Sequence, residues 1–284
     1  MLGRLAPLLF VLLWSTGFIG AKLGLPYAEP LSFLLIRYGL VLALMALLAV
    51  ACAAPWPREP RQWLHIGVAG SLLHGLYLGG VFVAIARGLP AGVTALVVGM
   101  QPLLTAVLVG LTLGEQVSPR QWLGLVIGLI GVALVILGKF GAEAVAWGPM
   151  VWPAVFALLG ITAGSLYQKR FCPAFDWRTG AVLQFLPAAG LTAMAAALTE
   201  HFRIEWTGEF VFALAWLVLV LSVGAIALLN WLIRSGTAVN VASLFYLTPP
   251  TTALMAWGLF GEQMTAWMLL GMALAVAGVY LSRR

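Results

Sequence analysis

Residues 101–124 read QPLLTAVLVGLTLGEQVSPRQWLG, and residues 248–271 read TPPTTALMAWGLFGEQMTAWMLLG. Laid together at an offset of 147, they share Pro102 with Pro249, Thr105 with Thr252, Ala106 with Ala253, and Gly114-Glu115-Gln116 with Gly261-Glu262-Gln263. The match extends outward: 93–134 overlays 240–281 with twelve of 42 pairs identical, Gly124/Gly271 and Gly131/Gly278 among them, and Arg87 falls on Arg234. Compositional bias produces chance Ala, Leu and Gly matches. It does not readily place Gly-Glu-Gln at the same offset as a proline. The chain therefore reads as a duplication, residues 1–142 and 143–284, joined near Gly141 to Ala146.

Composition says what is duplicated. Of 284 residues, 63% are hydrophobic and 8% charged, whereas a soluble domain carries roughly 25% charged residues. Cutting at charged residues leaves ten uncharged runs: 5–21, 38–57, 62–86, 88–114, 121–138, 144–168, 179–199, 210–233, 235–261 and 263–282. Each approaches the ~20 residues that a helix needs to cross about 30 Å of hydrocarbon. The second span is expected to begin near Leu31 and to carry Arg37 close to one interface. Five spans per half is an odd number, so the second half enters from the opposite side. The expected fold is all-α and integral to the membrane: ten transmembrane helices as two inverted-topology five-helix repeats around a central cavity, an architecture of secondary transporters.

Lys/Arg bias in short loops orients such a chain. Arg4, Arg58, Arg61, Arg120, Lys169, Arg170, Arg178, Arg234, Arg283 and Arg284 flank one side; Lys22, Arg37, Arg87, Lys139 and Arg203 flank the other. The excess sets both termini in the cytoplasm, in a bacterial inner membrane. It also accounts for the basic balance without nucleic acid, since no Lys/Arg cluster with interleaved aromatics stands outside the spans. Cys52 and Cys172 form neither a metal spacing nor a disulfide framework. His65, His74 and His201 suggest no metal set, and no nucleotide-binding or hydrolase motif occurs. Neither an enzyme nor a cofactor is expected.

Further residues make the chain similar to a known family. Phe33-Leu34-Leu35-Ile36-Arg37-Tyr38 looks like an Arg-aromatic signature at the start of a second span. Gln101-Pro102 and Thr248-Pro249-Pro250 place proline in two spans, and Gly114-Glu115 precedes Gln121-Trp122-Leu123-Gly124. The second copy departs, with Met268-Leu269-Leu270-Gly271 in the corresponding place. Over essentially its whole length the chain resembles the EamA branch of the drug/metabolite transporter superfamily, and its aromatic, charge-poor interior looks most like the aromatic amino acid exporters. The resemblance implies export of amino acids, aromatic or otherwise neutral, or of similar small metabolites. The alternatives are efflux of lipophilic cations or drugs, and a non-transporting assembly or sensor subunit.

The residues themselves suggest where substrate sits. Proline removes a backbone N–H and crowds the carbonyl four residues earlier, so Pro102, Pro249 and Pro250 are expected hinges flanking the cavity. Thr94, Val98, Gln101 and Thr105 share one face of the fourth span, and Phe245, Thr248, Thr251 and Thr252 a matching face of the ninth. Ser71, His74 and Tyr77 lie on the third. The expected lining is Ser15, His74, Tyr77, Val98, Gln101, Tyr167, Phe245, Tyr246 and Thr248, with Thr162 and Ser165 beside Tyr167. No Asp or Glu lies deep in a span, so the usual carboxylate for H⁺ or Na⁺ coupling is missing. Phosphate-bearing solutes lack the Lys/Arg clamps they need. A cavity of Tyr, Phe, Gln and Thr suits a neutral or zwitterionic solute with an apolar body. Trp56, Trp63, Trp122, Trp147, Trp152 and Trp206 fall near span ends, as interfacial belts do, while Trp14 and Trp257 are placed for deeper positions. The spacings Gly124-x-x-x-Gly128 and Gly271-x-x-x-Ala275 permit close helix contact, either within the chain or across a homodimer. A monomer and a homodimer both remain open.

Overall fold

A computed structural model describes residues 2–89, 94, 97–140, 148–172, 174–260 and 264–282. Among them there is no β-strand, only an isolated antiparallel bridge between Ala28 and Ile204. The rods are α1 (Leu2–Gly24), α2 (Pro30–Ala51), α3 (Pro60–Ala86), α4 (Gln101–Leu113), α5 (Pro119–Phe140), α6 (Trp152–Phe171), α7 (Trp177–Thr199), α8 (Gly208–Ser235), α9 (Ala238–Ser243, continued by a 3₁₀ turn Leu244–Leu247 and by Thr248–Phe260) and α10 (Ala266–Ser282). Among the described residues, five stretches are individually long and apolar enough to cross a bilayer: Leu5–Tyr27, α2, α3, α7 and α8. Large apolar side chains face outward along the rods, Leu111 at 84% exposure and Leu198 at 80%. Such a surface requires lipid. The chain is a multi-pass membrane protein.

Local chemistry sets the helix starts. Proline opens α2, α3 and α5, where its missing N–H loses nothing. Asp176 caps α7 by accepting from the Arg178 N–H at 2.9 Å, and Thr207 and Thr237 cap α8 and α9, each at 3.2 Å. Gly114 ends α4 in the left-handed conformation, φ +69°. The starts repeat: Pro30 and Trp177, Gln101 and Thr248, and Pro119 and Ala266 are each 147 residues apart. So do the π-helical interruptions, at Ser71–Leu76 inside α3 and Leu217–Ala225 inside α8.

The small-residue spacings are used inside the chain. α5 and α10 are the most extensively packed pair of rods, and they run antiparallel: Gly124 lies against Gly278 and Ser282, Gly131 against Gly271 and Ala275. A Cβ on Gly124 would stand 2.7 Å from the Gly278 carbonyl oxygen, and one on Gly131 2.5 Å from the Ala275 nitrogen. Exchanging each residue for its counterpart 147 positions away maps one contact onto the other. α2 and α7 meet similarly, with the Tyr38 and Phe185 rings, also 147 apart, at 5.3 Å between centroids.

Three expectations change. Pro102, Pro249 and Pro250 do not kink continuous helices. They lie in the first turn of Gln101–Leu113 and Thr248–Phe260, after breaks at Met100 and Leu244–Leu247. Among the described residues, Pro7 and Pro187 lie inside helices. Arg37 does not stand at the end of its helix: α2 begins at Pro30, two turns earlier, and Arg37 is 1% exposed inside the bundle. Trp14 is buried as expected, but Trp257 is 55% exposed. The expected linker 141–146, Trp147, Glu262, Gln263, Arg283 and Arg284 lie outside the described residues.

Candidate functional site

A narrow cavity opens between α1, α2, α3, α6 and α8. Its first wall carries Trp14, Arg37, His74, Tyr77 and Phe82; the facing wall is Ile161, Leu221, Ile226 and Leu229. Trp14 and Ile161, His74 and Leu221, and Phe82 and Leu229 are pairs 147 apart, so corresponding positions of the two halves meet across the same space. A smaller space adjoins it, sharing Trp14, Phe18 and Tyr77 and adding Val98, Gly99, Phe245, Thr248 and Pro249.

The polar wall is held rigidly. The Tyr38 hydroxyl donates to the His74 backbone carbonyl at 2.7 Å, within the π-helical stretch, and the His74 imidazole stacks on Phe185 at 4.1 Å between centroids. Trp14 and Tyr77 lie parallel at 6.3 Å, and Phe245 packs edge-on to Trp14 at 5.4 Å. Arg37 Nε donates to Ser222 Oγ at 2.9 Å, and Ser222 Oγ donates to the Leu217 carbonyl at 2.9 Å. That second bond spans five residues, as the π-helical turn allows. Among the described residues, neither terminal nitrogen of Arg37 meets hydrogen-bond geometry with a partner, nor does either ring nitrogen of His74, although Gln184 approaches the imidazole. Among the described residues, every Asp and Glu sits at or beyond a helix end, and none lines the cavity.

The structure brings His74, Tyr77, Val98, Phe245, Thr248 and Pro249 to these two connected spaces. Gln101 is buried behind them with Oε1 unpartnered, as are the hydroxyls of Thr105, Thr248 and Thr252; Gln101/Thr248 and Thr105/Thr252 are again pairs 147 apart. Others it places elsewhere. Ser15 lines neither space but stands beside the second: it donates to the Val11 carbonyl of its own helix at 2.7 Å and lies 3.4 Å from the Thr248 carbonyl. Tyr167 bonds His65 Nδ1 at 2.7 Å and packs on Phe171, near the end of the bundle where α3 begins. Tyr246 packs on Gly128 of α5. Pro102 is buried in the first turn of α4, and neither it nor Pro250 lines the two spaces. Two features were missed. One is Arg37. The other is a ring of buried amides: Gln184 Nε2 donates to Gln168 Oε1 (2.8 Å), Gln168 Nε2 to Asn230 Oδ1 (3.0 Å), and Asn230 Nδ2 to Gln184 Oε1 (3.4 Å).

The ends of the bundle are tied separately. At one, the Glu29 carboxylate accepts the backbone N–H groups of His201 and Arg203, each at 2.9 Å, and Glu200 accepts those of Leu31 and Ser32 at 2.8 and 2.7 Å. The Arg203 N–H holds the Glu29 carboxyl below its usual pKa. At the other, Thr179 Oγ1 donates to the Pro55 carbonyl at 3.0 Å, and Lys169 reaches the carbonyls of Ile233 and Gly236. The side chain of Arg178 holds the Asp176 carboxyl below its usual pKa there.

Known proteins share this architecture. One crystal structure superposes with a TM-score of 0.80 at 21% identity, covering 98% of this chain and 96% of that one. The chain is 28% identical to the uncharacterized transporter YvbV of Bacillus subtilis, over 95% of this chain and 88% of the relative. It is 27% identical to a probable amino-acid metabolite efflux pump of Escherichia coli K12, over 97% and 92%. The sequence profile of the EamA-like transporter family matches residues 1–137 and again 149–284. The chain belongs to the EamA-like transporter family.

Proposed function

We propose that this protein is a secondary or facilitative transporter that exports amino acids, or similar small metabolites with an apolar body, by alternating access between two inverted five-helix halves. The observation that carries this reading is the cavity whose facing walls come from positions 147 apart. A site on the axis relating two such halves can open to either side as they exchange roles. The antiparallel contact of α5 with α10, which maps onto itself under the same exchange, supports inverted topology. An aromatic wall facing an aliphatic one suits a solute with an aromatic or branched body. The family, and a relative in Escherichia coli that is a probable amino-acid metabolite efflux pump, agree with the amino-acid reading. Efflux of lipophilic cations is disfavoured, because an unpaired guanidinium repels them from the same space.

Purified protein in proteoliposomes tests this by counterflow. Labelled Trp, Phe, Met or Thr exchanges, and a labelled quaternary ammonium does not. Exchange of the ammonium alone would reverse the assignment. A preparation that moves no solute and co-purifies with a partner would make the chain a non-transporting subunit.

A further inference from the structure

We infer that Arg37 is the substrate's carboxylate-binding residue and that the cavity selects apolar-bodied carboxylates whether or not they carry an amino group. The inference rests on the transport reading and narrows its substrate class.

A guanidinium stays charged at any pH a protein tolerates, and a charge removed from water is costly unless paired and hydrogen-bonded. An ionisable group inside a membrane domain therefore has a task, and its partner can be named from what surrounds it. Arg37 is 1% exposed, and its one hydrogen bond among the described residues is Nε to the Ser222 hydroxyl. That bond fixes the plane of the fork and leaves both terminal nitrogens unpartnered, on a residue that lines the cavity. Two parallel N–H groups match a carboxylate in bidentate geometry, short and charge-assisted.

The rest of the lining settles which carboxylate fits. With no Asp or Glu among the described lining residues, a substrate ammonium has no counter-charge and shares the space with a fixed cation. The acid therefore carries the recognition, and the α-amino group adds little. The aliphatic side chains of Ile161, Leu221 and Leu229 and the rings of Trp14 and Tyr77 make the lining apolar, so the acid that fits has an apolar body; the cavity is about 30 Å³ as it stands, and its walls part to admit that body. A phosphate or dicarboxylate would bring more charge than one guanidinium neutralises.

The test uses three ligands of one shape and differing charge: 3-phenylpropionate, phenylalanine and phenethylamine. Thermal shift and equilibrium binding on the purified full chain should rank phenylpropionate at or above phenylalanine, with phenethylamine inactive. Arg37→Gln should weaken the two carboxylates by roughly 10- to 100-fold. Arg37→Lys should recover part of that, because it keeps the charge without the fork. The wild-type ranking decides even if a variant fails to fold. Phenethylamine binding as tightly as phenylpropionate overturns the inference, as does unchanged carboxylate binding in folded Arg37→Gln. Vesicles that exchange some other solute while all three ligands fail would sink the carboxylate assignment and leave transport standing. Vesicles that exchange nothing would remove the transport reading itself.

Discussion

Two triangles of residues at matching positions do opposite things. Ala21, Arg37 and Val83 in the first half correspond, 147 residues on, to Gln168, Gln184 and Asn230 in the second. In the second half the three amides close a ring in which each donates once and accepts once, and all are at most 3% exposed. In the first half two positions are apolar, and the third presents a guanidinium with two unpartnered nitrogens to the cavity. One scaffold thus carries a polar group that the fold satisfies and a polar group that it leaves without a partner. A satisfied buried network rigidifies, and an unsatisfied group is costly until something binds.

Substitutions can break this comparison. The largest effect is expected where both halves depend on close backbone approach. Gly131→Leu drives side-chain atoms into the Ala275 nitrogen, only 2.5 Å from where a Cβ would stand, and helix backbone cannot yield as a side chain can. Loss of about 3 kcal/mol or more is expected, read as collapse of the monodisperse peak in detergent. Gly190→Ala, with nothing within 4 Å, should leave that peak intact. Next come the triangles. Gln184→Leu leaves Gln168 Oε1 and Asn230 Nδ2 unpaired, at about 1–3 kcal/mol each, so the melting temperature should fall by several degrees. Arg37→Gln should have the opposite sign without ligand, with melting unchanged or higher because an unpaired charge is relieved. A melting temperature that falls equally in both would erase the distinction between them.

The smallest effect lies at the tied end. Because the Glu29 carboxyl is held below its usual pKa, its contribution to stability is present above the ordinary carboxylate range near pH 4.3 and lost as pH falls through the folded value. The melting gap between wild type and Glu29→Gln should therefore narrow between about pH 6 and pH 3. A gap independent of pH would mean that the carboxylate does not hold the 201–203 loop.

Much of the fold was legible because its signals are long or repeated. Hydrophobic runs locate the rods, and one offset predicts that the starts of α2, α4 and α5 recur in α7, α9 and α10. Arg37 was hidden by the same procedure: cutting the chain at charged residues assumes that every charge lies outside a span. The offset itself held a correcting signal, since it pairs Arg37 with Gln184, both polar and both deep in matching helices. The amide ring has no local spacing, because its members come from three helices that only packing unites. Tyr167 misled because polar neighbours in the same span, Thr162 and Ser165, do not say at what depth it lies, and His65 draws it to the end of the bundle. Proline position marks where helices begin: Pro102 and Pro249 lie in the first turns of helices that follow breaks, a local geometry that the residue type alone does not distinguish from a bend.

Alternating access across the shared cavity is tested most directly by tying one end at a time. Ala28 and Ile204 pair at one end of α2, while Pro55 and Thr179 meet at the other. In a background with Cys52 and Cys172 replaced by serine, cysteines at 28 and 204, or at 55 and 179, can be oxidised and the vesicles assayed for counterflow. The account predicts that either disulfide alone stops exchange and that reduction restores it. Exchange that continues at full rate with an end tied would contradict it.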